Sequence, residues 1–188
     1  NYLHINGATE LKVYLSAATS YSIHEYRDIV ESALQSAINK EYDTLKREHI
    51  TEYRRLFDRV DINLGSQRLG IPTDQRIAEY ATNGKDTSLA ALYAQFGRYL
   101  LISSTYKATL PPNLQGIWAQ GTWTPWNGDM HLNINQQMNH WPLEVGNLSE
   151  LIEPLTRYVD GLAESGKHTA KHFYDAEGWC AHILANAW

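Results

Sequence analysis

A chain of 188 residues has the length of one ordinary domain, or of a piece of something larger. The formal net charge of −5 and a pI near 5.9, with no basic block anywhere, argue against a nucleic-acid partner, because such binding rests on clustered Lys and Arg. The mean hydropathy is −0.45, and no apolar run approaches the roughly 20 residues that a membrane span requires. The single cysteine, Cys180, excludes an internal disulfide and a multi-cysteine metal centre.

Both ends read as interior to a longer polypeptide. Asn1 begins without a starting Met or a signal-peptide pattern, and the last residues stop inside an apolar-patterned segment with no cap. From Glu10 to Ser16, Leu11, Val13 and Leu15 alternate with Lys12, Tyr14 and Ser16. That alternation is the period of a half-buried strand following a turn at Asn6-Gly7. The period then lengthens. Ile29, Val30, Ala33, Leu34, Ala37, Ile38, Tyr42 and Leu45 predict an amphipathic helix over about 26–47, continuing in helical form through 49–57. Residues 60–73 hold two glycines and a proline and read as loop.

Helices are expected again at 73–82 and 88–105. In the second, Leu89, Leu92, Tyr93, Phe96, Tyr99 and Leu100 form one broad stripe, read as core packing. Residues 109–135 are broken by prolines and glycines. A short helix should follow at about 136–145, disturbed by Pro142. Asn147 with Glu150 has the form of a capping box, opening a helix that reaches Ser165, although Pro154 could mark its true first turn. Long ordered loops between helices are often functional.

The segment from Leu110 to Pro142 concentrates the chemistry. Its 33 residues hold four of the six tryptophans (Trp118, Trp123, Trp126, Trp141) and the carboxamides Asn127, Asn133, Asn135, Gln136, Gln137 and Asn139. Flat apolar faces beside neutral donors and acceptors suit a ligand with many hydroxyls and C–H faces, which describes a sugar. The competing reading is an internal polar network around a loop, since a buried carboxamide left without a partner costs about 1–3 kcal/mol. In His131-Leu132-Asn133-Ile134-Asn135, an extended backbone would carry the imidazole and both amides to one face, and Leu132 and Ile134 to the other. An amide is not a useful base. Such a row can hold a water or a hydroxyl, but deprotonation falls to a carboxylate elsewhere. A capping or turn role for either asparagine is the alternative.

Glycosidic cleavage usually needs two carboxyl groups, and those near this loop are Asp129, Glu144 and Glu150. None has the surroundings of a general acid. His168 and His172, four apart, would stack on a helix as metal ligands do, but the Glu of a zinc-protease motif is replaced by Thr169, so a solvated face is preferred. There is no P-loop and no G-x-S-x-G elbow, and Cys180 has no basic neighbour in sequence to activate it. Asn147-Leu148-Ser149 matches a glycosylation sequon and is read as structural, as part of the helix cap.

The strings Leu110-Pro111-Pro112-Asn113-Leu114-Gln115-Gly116-Ile117-Trp118, Trp126, His131-Leu132-Asn133-Ile134-Asn135 and Gln137-Met138-Asn139-His140-Trp141-Pro142 resemble glycoside hydrolase family 95, the inverting α-L-fucosidases and related α-L-galactosidases. Asn147-Leu148-Ser149-Glu150, Glu153-Pro154-Leu155 and Gly178-Trp179 with Ala181-His182 are also similar, so the likeness runs from about Tyr53 onward.

The resemblance implies a mainly α fold, a partial (α/α)6-barrel with a short N-terminal β segment from a preceding β-sandwich. Residues 1–24 would be the last strands of the sandwich, 25–72 a helical linker, and 73–188 the first part of the barrel. It further implies that Asn133 and Asn135 hold the attacking water, assisted by an Asp. That Asp and the general-acid Glu would lie beyond Trp188, which leaves the chain alone inactive. By the same likeness, His131, Trp118, Trp126, Asn139, His182 and Asn186 would line the sugar pocket. His140 departs from the Tyr that is common in the family. No cofactor and no metal are implied. The expected partners are an oligosaccharide or glycan and the remainder of the chain's own polypeptide, in a secreted or periplasmic setting. The rival expectations are a non-catalytic carbohydrate-binding or helical interaction module and a metal-dependent hydrolase using His168 and His172.

Overall fold

The structure is a computed structural model that describes residues 2–21, 24–65, 68 and 70–185. The chain divides into two compact units, Asn1–Glu52 and Tyr53–Trp188.

In the first unit, residues 2–20 form neither helix nor strand. The alternation at 10–16 therefore does not become a strand here: Val13 and Leu15 are 79% and 91% exposed. A strand needs a neighbour to take its N–H and C=O groups, and among the described residues none is paired with it. The helix expected over 26–47 is two helices, α1 (Tyr26–Ile38) and α2 (Tyr42–Phe57). The chain breaks at Asn39, a poor helix former, whose amide still donates to Gln35 O at 3.1 Å. Lys40 bonds Glu48 across the break at 2.8 Å. α1 has no buried residue.

The second unit holds the last turn of α2, then α3 (Thr73–Asn83), α4 (Thr87–Thr105), α5 (Asn135–His140), α6 (Pro142–Val145) and α7 (Glu153–Tyr174). It is mainly helical, as expected. Its core joins Leu56, Leu101, Ile102, Leu143, Leu148 and Leu151, with Tyr53, Phe57 and Tyr106 packed against them. Removing such side chains from water is the main favourable term, at about 25 cal/mol per Å².

Two buried arginines fix the frame. Arg98 on α4 donates to Leu56 O (2.9 Å) and Phe57 O (2.7 Å) at the end of α2, and to Gly146 O (3.0 Å) just after α6. Helix C-termini carry unpaired carbonyls and partial negative charge, so two of them satisfy one guanidinium. Arg76 on α3 forks onto Asp86 at 2.9 and 3.2 Å and reaches Ser88 at 2.9 Å. Asp86 also caps α4 by accepting from the Leu89 amide at 3.2 Å.

Two expectations about packing are corrected. The stripe on α4 is not the core face: Leu92, Tyr93 and Phe96 are exposed, while Ala91, Arg98, Leu101, Ile102 and Thr105 are buried. The helix is apolar nearly all round, so periodicity could not select the face that meets Leu56 and Leu143. Asn147 does not cap a helix. It sits at φ +53° after α6, its amide donating to Glu144 O at 3.1 Å. A 3₁₀ turn at Ser149–Ile152 follows, and Pro154 lies in the first turn of α7, which runs past Ser165 to Tyr174.

Candidate functional site

Between α4 and α5 the chain is irregular but pinned. Gln136, buried on α5, donates from Nε2 to Pro112 O at 2.7 Å. Asn113 Oδ1 accepts from the Gln115 amide at 2.8 Å, and Asn113 O from the Gly116 amide at 3.0 Å. Gly116 has φ +65°, and a Cβ there would lie 2.8 Å from the Trp118 ring, so only glycine lets the indole fold back over this turn. Trp126 and Asn127 are both left-handed (φ 51° and 55°), held by bonds from the Asn127 amide to Thr124 O (2.9 Å) and from the Asp129 amide to Trp126 O (3.0 Å). Non-glycine residues in this region cost about 1–3 kcal/mol each and cluster at functional sites.

The His131–Asn135 segment is not the extended row its spacing suggested. Only its start is extended, where His131 bridges antiparallel to Leu184 and the Leu132 amide donates to Ile183 O at 2.8 Å. The chain then turns. The Gln136 amide bonds His131 O at 3.0 Å, and Gln137 Nε2 closes the turn on Leu132 O at 2.6 Å. Asn133 projects from the turn and is exposed, Asn135 opens α5 half-buried, and Ile134 is exposed as well. The alternation argument holds only for extended backbone, and the pull of buried Gln136 starts the helix too early for it.

Two cavities collect four of the eight expected residues. An open groove of about 600 Å³ is lined by Leu132, Asn133, Ala181, His182, Ile183 and Leu184. A larger one, of about 830 Å³, includes Trp118, Asn139, Asn113 and Gln115 in its wall. Asn133 and His182 are thus brought together, as are Trp118 and Asn139, but the two pairs line different cavities. Trp126, 70% exposed, and Asn135 line neither. Asn186 lies outside the described residues. Among the described residues, the Asn133 and Asn135 side chains make no hydrogen bond, so neither amide is spent on the main chain. His131 is half-buried, with Asp129 Oδ2 4.0 Å from its Nε2, and that nitrogen is buried without a hydrogen-bond partner.

The nearby carboxylates are differently placed. Glu150 meets Arg59 at 2.7 Å, a bond that holds its carboxyl below the usual range and so favours the ionised form over that of a proton donor. Glu144 accepts from Ser149 Oγ at 2.6 Å. Neither cavity has an Asp or Glu in its described lining. His140 donates Nδ1–H to Gln136 O at 2.7 Å, and burial pushes its pKa down. Burial thus favours the neutral imidazole, as suits a packing group.

Sequence reasoning did not single out Tyr174, whose hydroxyl lies 3.1 Å from His182 Nε2, or Gln115 and Asn113 as cavity walls. The Asn-Leu-Gln-Gly string signalled the latter pair, whereas nothing in sequence links Tyr174 to His182. The rings of His168 and His172 stack at 5.7 Å, and among the described residues no group of three or more His, Cys, Asp or Glu could hold a metal ion.

Residues 41–188 match the glycosyl hydrolase family 95 catalytic domain, and the chain belongs to that family. It is 41% identical over 153 residues to alpha-L-fucosidase 2 of Arabidopsis thaliana, covering 78% of this chain and 18% of that protein. It is also similar to probable alpha-fucosidase A of Aspergillus niger, at 37% over 165 residues (86% and 21%), and of Aspergillus oryzae, at 34% over 178 residues (91% and 25%). The chain therefore spans about a fifth to a quarter of the length of these relatives.

Proposed function

We propose that this chain is part of an inverting glycosidase that removes terminal α-L-fucosyl, or α-L-galactosyl, residues from glycans. The observation that carries the reading is the family membership, together with relatives named as fucosidases. Asn133 and Asn135 hold the attacking water through their amide groups. They cannot take its proton, so a carboxylate must do so, and a second carboxyl must protonate the leaving oxygen. With Glu150 ion-paired and no Asp or Glu in the described lining of either cavity, we assign both roles to the remainder of the same polypeptide. The relatives' greater length supports that assignment. The sandwich–linker–barrel layout (1–24, 25–72, 73–188) and a secreted or periplasmic setting belong to the same proposal.

In an inverting enzyme the two carboxyl groups stand about 6.5–9.5 Å apart, leaving room for the water. The test follows from that geometry. NMR of the first sugar released from an α-L-fucoside by the protein carrying this chain should reveal the β-anomer, and initial α-anomer would reject inversion. Asn133→Ala and Asn135→Ala should each lower kcat on the order of 10²-fold, the loss seen when one positioned donor is removed, with little change in KM. Unchanged kcat would reject the water-holding role.

One observation favours a second reading, a non-catalytic glycan-binding module: the cavity containing Trp118 and Asn139 has no carboxylate in its described wall. That reading expects sugar binding with no turnover at any length of chain.

A further inference from the structure

Beyond the end of α7 the chain doubles back. Asp175 is left-handed (φ 47°) with its amide on Lys171 O at 3.1 Å, and Gly178 (φ 87°) completes the reversal. The returning segment is held on both sides of His182. The Cys180 amide donates to Gly166 O at 3.2 Å, and Ile183 O accepts from the Leu132 amide at 2.8 Å. Between these anchors, two rings from the last turn of α7 flank the imidazole. Phe173 meets it edge-on at 6.2 Å and 69°, Tyr174 at 6.2 Å and 85°. The Tyr174 hydroxyl is 3.1 Å from Nε2, and His182 lines the same open groove as Asn133.

We propose that Tyr174 is a positioning residue: its hydroxyl donates to His182 Nε2, which places the imidazole proton on Nδ1 and presents Nδ1–H as a donor to a sugar hydroxyl in the groove. The proposal rests on the reading of that groove as the sugar site. The direction of the bond follows from acidity. A phenol gives up its proton far more readily than a neutral imidazole N–H, and the bare ring nitrogen is the better acceptor. The bond made by one ring nitrogen fixes the state of the other. A neutral histidine free in water favours the opposite tautomer, with the proton on Nε2, so Tyr174 reverses the default. The edge-on contacts restrain ring rotation, which fixes the donor's direction as well as its identity.

The experiment is ¹H–¹⁵N spectroscopy of the histidine rings in this chain above pH 7.5, with the His182 signals assigned by their loss in His182→Gln. The native chain should have the proton on Nδ1 of His182. Tyr174→Phe keeps the ring and its packing but should return His182 to the solvent mixture dominated by Nε2–H, leaving the other histidine signals in place. Titration with L-fucose should move the His182 signals, and Tyr174→Phe should weaken that binding roughly fivefold, the effect of one ordinary hydrogen bond. Identical tautomers in the native chain and Tyr174→Phe would overturn the proposal. A tautomer switch with no response to L-fucose in the native chain would instead overturn the sugar-groove reading and leave the Tyr174–His182 lock standing.

Discussion

Asp86 caps α4, accepts both arms of Arg76 and takes the Ser88 hydroxyl at 2.8 Å. These bonds, led by that from Arg76, hold its carboxyl at about 2, below its ordinary 3.8. The folded state thus prefers the ionised form. The associated stability is complete above about pH 4 and drains away as the pH falls toward 2. Asp86→Asn should lower Tm at neutral pH and abolish that acid step, read from Tm measured between pH 5 and 2. His140 has the same sign by a different cause. Burial depresses its pKa, an effect partly opposed by its bond to Gln136 O, so the fold favours neutral imidazole. That contribution is present above the usual histidine range and lost as the pH falls through the lower folded value. His140→Phe should flatten the dependence of Tm on pH between 7 and 5. An unchanged slope would mean that the ring nitrogen is not the titrating group.

Among the elements, α7 offers a paired test in which sequence alone sees two equivalent helical glycines. A Cβ at Gly161 meets nothing within 4 Å, whereas one at Gly166 would stand 2.8 Å from Cys180 O and 3.1 Å from the Trp179 ring. Gly161→Ala should stabilise by about 0.5–1 kcal/mol, through lost unfolded-state entropy. Gly166→Ala should destabilise by about 1–3 kcal/mol, the usual cost of overpacking against atoms that cannot yield. Chemical denaturation distinguishes the two. On α4 the same logic separates faces. Leu101→Ala should cost about 2–5 kcal/mol and Phe96→Gln no more than about 0.5 kcal/mol. The positions of α3, α4 and the Pro142-interrupted pair α5–α6 were legible because a helical period needs only local sequence. Which face of α4 is covered was not, because Leu92 and Phe96 are as apolar as Leu101 and Ile102. The site was legible as composition, in the amides and indoles of 110–142. Its geometry was not, since the turn at Leu132–Ile134 depends on Gln136 reaching Pro112, and the Tyr174–His182 contact depends on a chain reversal.

At the scale of the molecule, the two units differ in how their residues are held. Residues 2–20 make no helix or strand and Leu15 is almost wholly exposed, whereas the second unit has a continuous leucine core. Limited trypsin treatment should therefore cut first near Lys12, and cleavage inside 87–105 should await global unfolding. Mass spectrometry of the early fragments checks this. The length of α7 has a thermal consequence of its own. Its 22 residues reach about 33 Å at 1.5 Å per residue. The near end is clamped where Pro154 and Tyr158 are buried and the Tyr158 hydroxyl meets Ala185 O, while the far end stands in solvent beside His182. Terminal turns fray at small free energies while the middle of a helix stays shut. On warming, the Tyr174–His182 contact should loosen while the circular dichroism spectrum is still that of the native protein, with amide exchange quickening at 171–174 first. The far end would melt like the tip of an icicle whose root is still frozen to the eave.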